Sequence, residues 1–336
     1  GGGATAGGAA GGAATGGTGG DGSGGTGTGG ETPVGPIPGF APVGFASMDE
    51  WGQNGTTGGY GGETVTVTTS AELLDYMSRE GPYIIQVEGM ISVGAGMHEV
   101  TSDKTIIGLG ANAGITGGGL NVGLPIDNAV LELPPNAVHN VIICNLTFDG
   151  ANDDNINVMM FSHHIWIHHN TFTGSGDGAL DFKRGSSYGT ISYNHFVSTR
   201  KTMLLAHSDE NDAQDVGRVK VTYHHNWFDH GRSRHPRCRY GETHIFNNFY
   251  ENISNYGIGV GKKSRIYSEN NYCEGGNCSR GVSNSGSGGM KDVGSVGGFS
   301  SLNPDVITWN PSEYYSYTPD PAESVPEIVM ANAGVG

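Results

Sequence analysis

Short runs in which apolar and polar residues alternate fill the middle of the chain, and one such run keeps returning. Its copies are IWIHHNTF from Ile165, TISYNHF from Thr190, VTYHHNWF from Val221, HIFNNFY from His244 and RIYSENNY from Arg265. Each leads to an Asn with an aromatic residue two positions later: Asn170/Phe172, Asn194/Phe196, Asn226/Phe228, Asn248/Tyr250 and Asn270/Tyr272. Successive Asn residues lie 24, 32, 22 and 22 positions apart. Alternation predicts strands, and a return at this interval predicts a solenoid whose coils stack equivalent positions. Stacked Asn residues in tight turns are expected to form an internal amide ladder, and the aromatics two positions on to stack in the core.

Upstream, YIIQVEGMI, KTIIGLG, AVLEL and HNVIICNLTF are β-branched runs bounded by Gly, Pro or Asn, and Thr64 to Thr68 alternates in the same way. With the five later phrases they predict about eight coils over roughly residues 63–280. Between them, SAELLDYMSREG places Leu73, Leu74 and Met77 at helical spacing, with Ser70 as N-cap and Gly81 as stop. A short helix there would cap an end that otherwise exposes core and unpaired strand edge. Residues 33–62 read as an irregular segment pinned by Phe40, Phe45, Trp51 and Tyr60. After Cys278 the repeat fades, and 281–336, with Trp309, Tyr314, Tyr315 and Tyr317, reads as a strap along the coils.

Composition changes this picture mainly at the start. Residues 1–30 hold 17 of the 60 glycines, mixed with Ala and Thr, so 1–32 is expected to be a flexible leader or linker ahead of a domain over 33–336. No run is long enough to span a bilayer. The chain does not begin with Met and reads as a processed or truncated fragment. Cys273 and Cys278 are close enough for a local disulfide, whereas Cys144 and Cys238 lie several coils apart and read as buried thiols.

A formal charge of −16 argues against nucleic acid as a partner. Yet ten of the 17 Lys and Arg residues fall between Lys183 and Arg239, a basic band across successive coils that suits a local polyanion. Beside it lie four acids in adjacent coils, Asp153 and Asp154, then Asp177 and Asp181 in DGALD. Hard oxygen donors of this kind suit Ca²⁺, with turn-capping acids as the structural alternative. Asp154 shares its parity with Ile156 and Val158, so strand alternation is expected to fix it. Arginine forks pair carboxylates bidentately, so a basic band beside a carboxylate-held cation points to a ligand carrying several carboxylates. The pairs His163/His164, His168/His169 and His224/His225 invite a zinc reading, but adjacent strand residues face opposite ways, so structural roles are expected.

WIHHNTF, DGALDFKRGSSYGTISYNHF, KTMLLAHSD, VTYHHNWFDHGRSRHPRCRYG and HIFNNFYEN together resemble the pectate lyases of polysaccharide lyase family 1, from about Glu63 to Cys278. YYSYTPDPAESVPEIV also resembles the family's C-terminal segment. The resemblance implies an all-β, right-handed parallel β-helix, secretion, and Ca²⁺-assisted β-elimination of polygalacturonate. Asp154, Asp177 and Asp181 match the family's calcium carboxylates, Lys201 and Arg239 its substrate-binding residues, and Arg234 its proposed base. His168 stands where the family commonly has Asp in WIDH, which implies local repacking. Asn152 stands where some members carry a further acid, so Asp153 is a possible fourth ligand. Lys201 is the chemical alternative as base. A monomer is expected, with the leader as a possible tether. Three alternatives stay open on the residues: a polygalacturonan hydrolase using its acids, a lyase for methyl-esterified pectin, and a non-catalytic carbohydrate-binding solenoid.

Overall fold

The computed structural model describes residues 41–282 and 287–336, so the Gly-rich leader and Phe40 lie outside the described residues. Each coil contributes one short strand to each of three parallel sheets, one of ten strands and two of eight. The result is a parallel β-solenoid of about nine turns, one more than the repeat count predicts. The additional strands Met97–Val100, Gly114–Thr116 and Gly119–Val122 are only three or four residues long, too short for alternation to show.

Coil stacking follows from which residues point inward. In the ten-stranded sheet, Val141, Ile165, Gly189 and Val221 share one register position and Ile143, Ile167, Ile191 and Tyr223 another. The apolar members of both columns are buried in one continuous core. In the second sheet Phe148, Phe172, Phe196, Phe228 and Tyr250 form the expected stack, with ring centroids 4.8–5.4 Å apart. The third sheet closes the core with Leu120, Ile156, Leu180 and Met203.

The amide ladder exists but ends one residue later than the spacing predicts. Asn170 is the first rung, and Asn194, Asn226 and Asn248 each accept from the backbone N–H and side-chain amide of the rung before, at 2.9–3.0 Å for the amides. The last rung is Asn271, not Asn270, and it accepts from Asn248 at 3.0 Å. Asn270 instead adopts φ +47°, a left-handed conformation that Asn tolerates. With the rung shifted, Cys273 takes the register position of Phe228 and Tyr250, and it forms the expected disulfide with Cys278. Cys144 and Cys238 are buried free thiols.

The capping helix spans Ser70–Ser78, with Thr69 rather than Ser70 as N-cap. Thr69 Oγ1 accepts from Glu72 N while Glu72 accepts from Thr69 N, a reciprocal capping box that a Ser70 cap cannot make with Glu72 at N2. Leu73 and Met77 join the solenoid core. AVLEL is not a strand: Gly119–Val122 already fills that coil's place in the third sheet and His139–Cys144 the next place in the first. The segment is a loop held by Gln214, whose side-chain amide donates to the Asp127 and Val130 carbonyls.

The repeat persists past Cys278, because Gly281–Val282 and Gly289–Val293 add strands to two sheets. Beyond them the chain crosses the outer face of the ten-stranded sheet. Trp309 and Tyr315 pack on Phe45, Tyr188 and Tyr267, with Tyr314 and Tyr317 partly buried beside them. A final helix, Val325–Asn332, buries Val325 and Val329 against Phe249.

Candidate active site

The third sheet exposes the chemistry on its outer face. Asp181, in the strand Gly178–Phe182, stands in register between Asn157 and Leu204, and Leu204 pairs onward with Arg237. Lys183 follows Asp181 by two positions and therefore reaches the same face. Lys201 opens the next strand opposite Gly178, and Ser233, beside Arg234, bridges to Lys201 one coil later. Four successive coils thus bring Asp154, Asp177 and Asp181, Lys201, and Arg234 and Arg239 to one face.

Asp154 is not placed by strand alternation. The strand begins only at Ile156, after a bend, and the carboxylate is held by contacts instead. It is 2% exposed, accepts from Gly178 N at 2.7 Å and meets Lys183 Nζ at 2.9 Å. Asp181 accepts from Leu204 N at 2.9 Å and lies 3.2 Å from the same Lys183 Nζ. Burial, then the charge of Asp154, raises the Asp181 pKa against the opposing pull of Lys183. Burial alone would lower Lys183, but the two carboxylates outweigh it and raise its pKa, so the ammonium is held charged between them. Gly178 is required here: a Cβ would sit 2.8 Å from Asp154 Oδ1 and 3.0 Å from the Lys201 carbonyl.

Asp177 is half-exposed and ion-paired with Lys201. That hydrogen bond, and the more distant charges of Arg234 and Lys183, depress its pKa against a smaller burial effect. Ligand atoms of Asp153, Asp154 and Asp177 lie within 4.8 Å of one another, whereas Asp181 is turned to Leu204 N and Lys183. The acids that converge are therefore Asp153, Asp154 and Asp177. All their donors are hard oxygens, and the buried Asn157 Oδ1 in the neighbouring strand has no partner, so the residues present fit Ca²⁺.

Arg234 has φ +66° and is half-buried; its guanidinium makes no hydrogen bond or ion pair among the described residues. Arg239 is committed elsewhere, with Nε donating to Asp209 and Nη1 to the Ala206 carbonyl at 2.8 Å. Beside Lys183 opens a cleft of about 390 Å³ lined by Arg184, His207, Asn128 and Leu131 among others. Burial, then Arg184, Lys183 and Arg239, pushes the His207 pKa down to about 4, leaving a neutral imidazole among cations. Sequence reasoning passed over the specific placement of Lys183 and Arg237, although strand parity with Asp181 was a usable signal for Lys183. The adjacent histidines hold structure: His163/His164, His168/His169 and His224/His225 contact one another through their Nδ1 atoms at 2.7–2.9 Å. His168 stacks on Trp166 with centroids 3.7 Å apart.

Comparison with known proteins agrees with this architecture. The pectate lyase family model matches residues 39–336. A pectate trisaccharide-lyase of Thermotoga maritima is 36% identical, covering 88% of this chain and 88% of that protein. One of Bacillus licheniformis is 33% identical, covering 90% and 88%. A solved pectate lyase from a Bacillus species, in complex with trigalacturonate, superposes with a TM-score of 0.69 at 28% identity, covering 88% of this chain and 98% of that one. The family match over nearly all the described residues, on a solenoid that gathers these acids and bases, places the chain in the pectate lyase family.

Proposed function

We propose that this protein is a secreted, Ca²⁺-dependent pectate lyase that cleaves α-1,4-linked polygalacturonate by β-elimination. The observation that carries the reading is the cluster of Asp153, Asp154 and Asp177 next to Lys201, Lys183 and Arg234 on four adjacent coils. Asp154 and Asp177 would hold the ion, with Asp153 and Asp181 completing the acidic wall. When bound, Ca²⁺ would supply positive charge against a galacturonate carboxylate and so acidify the adjacent C5–H.

The protein's own residues then divide the work. Lys201 and Lys183 place ammonium groups beside the acids, where they attract substrate carboxylates and stabilise charge developing at C5. Arg234 takes the C5 proton. The C4=C5 double bond forms as the C4–O bond breaks, and its electron pair leaves on oxygen, which water protonates. An arginine base needs alkaline solution or a crowded cationic surrounding, because its pKa lies above about 12. Its unengaged guanidinium supports Arg234 over Lys201, which is tied to Asp177. Arg239 acts through its anchorage to Asp209 and the Ala206 carbonyl, shaping the groove wall, with its remaining nitrogen available to substrate.

The disulfide supports an oxidising, extracytoplasmic location, and no helix among the described residues is long and apolar enough to cross a membrane. Polygalacturonate with calcium at alkaline pH should give product absorbing in the ultraviolet, suppressed by chelator and weaker on methyl-esterified pectin. New reducing ends without absorbance would instead mark a hydrolase, and binding without turnover a carbohydrate-binding solenoid. The trisaccharide-lyase relatives further point to unsaturated trigalacturonate among the products, which chromatographic sizing checks.

A further inference from the structure

The outer face of the second sheet carries a separate group of ligand-type residues. Strand register stacks Val197, Asp229, Glu251 and Glu274, so three carboxylates occupy one column in successive coils. Like charges directly opposite are destabilising, and among the described residues no Lys or Arg pairs with any of the three. Two imidazoles converge there instead. His195 Nε2 lies 3.1 Å from Asp229 Oδ2, and His230 Nδ1 contacts Asp229 Oδ1. Ligand atoms of Asp229, His230 and Glu251 fall within 4.8 Å of one another.

Their neighbours hold them in place. Trp227 Nε1 donates to Glu251 Oε2 at 3.0 Å, and the Trp227 ring stacks on His195 with centroids 4.1 Å apart. Asn252 Nδ2 lies 3.2 Å from His230 Nε2; with that amide turned end for end, its Oδ1 would accept from Nε2–H and leave the Nδ1 lone pair for a metal. Backbone bonds fix both sides, with Ser198 N donating to the Asp229 carbonyl at 2.7 Å and His230 N to the Glu251 carbonyl at 2.9 Å. Such contacts to otherwise unused ligand atoms are what orients a metal's ligands.

We propose that Asp229, His230, Glu251 and His195 form a second divalent-metal site, with mixed imidazole and carboxylate donors that take Zn²⁺ in preference to Ca²⁺. Imidazole nitrogen suits borderline ions, whereas calcium takes oxygen donors. Tetrahedral bonds of about 2.0–2.2 Å put ligand atoms roughly 3.3–3.6 Å apart. The 3.1 Å between His195 Nε2 and Asp229 Oδ2 falls a few tenths of an ångström short of this, and the wider pairs need side-chain shifts of about an ångström. A bound ion would neutralise the carboxylate column and pin the start of Gly231–Arg234, the segment that carries Arg234.

Zinc titration by calorimetry in excess calcium tests the site on intact protein. One Zn²⁺ should bind per chain. His230→Ala and Glu251→Gln should each weaken it by about tenfold or more, and Asp154→Asn should leave it unchanged. Absence of zinc binding, indifference to both substitutions, or loss on Asp154→Asn alone would overturn the proposal. If His230→Ala does not fold, Glu251→Gln and a zinc-edge anomalous difference map of a zinc-soaked wild-type crystal decide. A peak within bonding distance of Asp229 and His230 supports the site, and no peak there rejects it.

Discussion

Lys183 separates two buried carboxylates that would otherwise face each other. Removing one partner of a buried ionic cluster leaves charge uncompensated, at a cost of roughly 3–5 kcal/mol. Lys183→Met is therefore expected to lower stability by about 3 kcal/mol near neutral pH, read as a shift in urea midpoint. The sign of its pH dependence follows from Asp181. A carboxyl with a raised native pKa binds more protons in the native state than when unfolded, so stability is gained as pH falls through that pKa. The deficit relative to wild type should shrink in mild acid; a deficit that grows would mean that Lys183 is not balancing Asp181. Gly178→Ala tests the same pocket sterically, since its Cβ intrudes on Asp154 and the Lys201 backbone. Weaker calcium binding by calorimetry, with a smaller loss of stability, is the expected result.

At the scale of elements, the Asn ladder holds one end of each coil. Asn226 Oδ1 accepts from both Asn194 N and Asn194 Nδ2, and its amide donates to the Ile191 carbonyl and to Asn248. Asn226→Ala leaves the buried Asn194 N–H without its acceptor, at a cost of about 1–3 kcal/mol. Thermal melts should register the loss, while activity per folded molecule, measured well below the melt, should stay near wild type. The ladder and the aromatic stack were legible because their period is carried by single residue types. What the sequence hid has physical causes. AVLEL has strand composition but no vacant place beside a neighbour. Asn270 and Asn271 are adjacent, and only the turn geometry decides which enters the ladder. Asp154 lies across a bend that breaks the parity argument, and Arg239 is drawn off by Asp209, thirty residues away in sequence. Asp177, Lys201 and Arg234 were named through their match to the family's motifs, and the repeat explains how residues so far apart in sequence reach one face.

For the whole molecule, buried neutral histidines predict acid lability. Burial pushes His235 down to about 4, and His164 and His169 similarly, while His168 and His224 fall well below the ordinary value. The unfolded chain binds these protons below about pH 6.5, whereas the native state refuses them until about pH 4. Stability present above pH 6.5 is therefore lost as pH falls toward 4, by about 3 kcal/mol for a fully buried group such as His235. Urea midpoints at pH 7 and 5 should show the drop, and equal midpoints would contradict it.

The central claim is that successive coils assemble one eliminating site with Arg234 as its base. Its most direct test is the ultraviolet absorbance of the C4=C5 product from polygalacturonate in saturating calcium at alkaline pH, with wild type and Arg234→Ala side by side. Wild type should form the absorbing product in a chelator-sensitive reaction. The folded variant should fall by about 10²–10⁴-fold in kcat, the usual contribution of a positioned base. Wild-type product without absorbance, or a folded Arg234→Ala enzyme that keeps its kcat, would contradict the account.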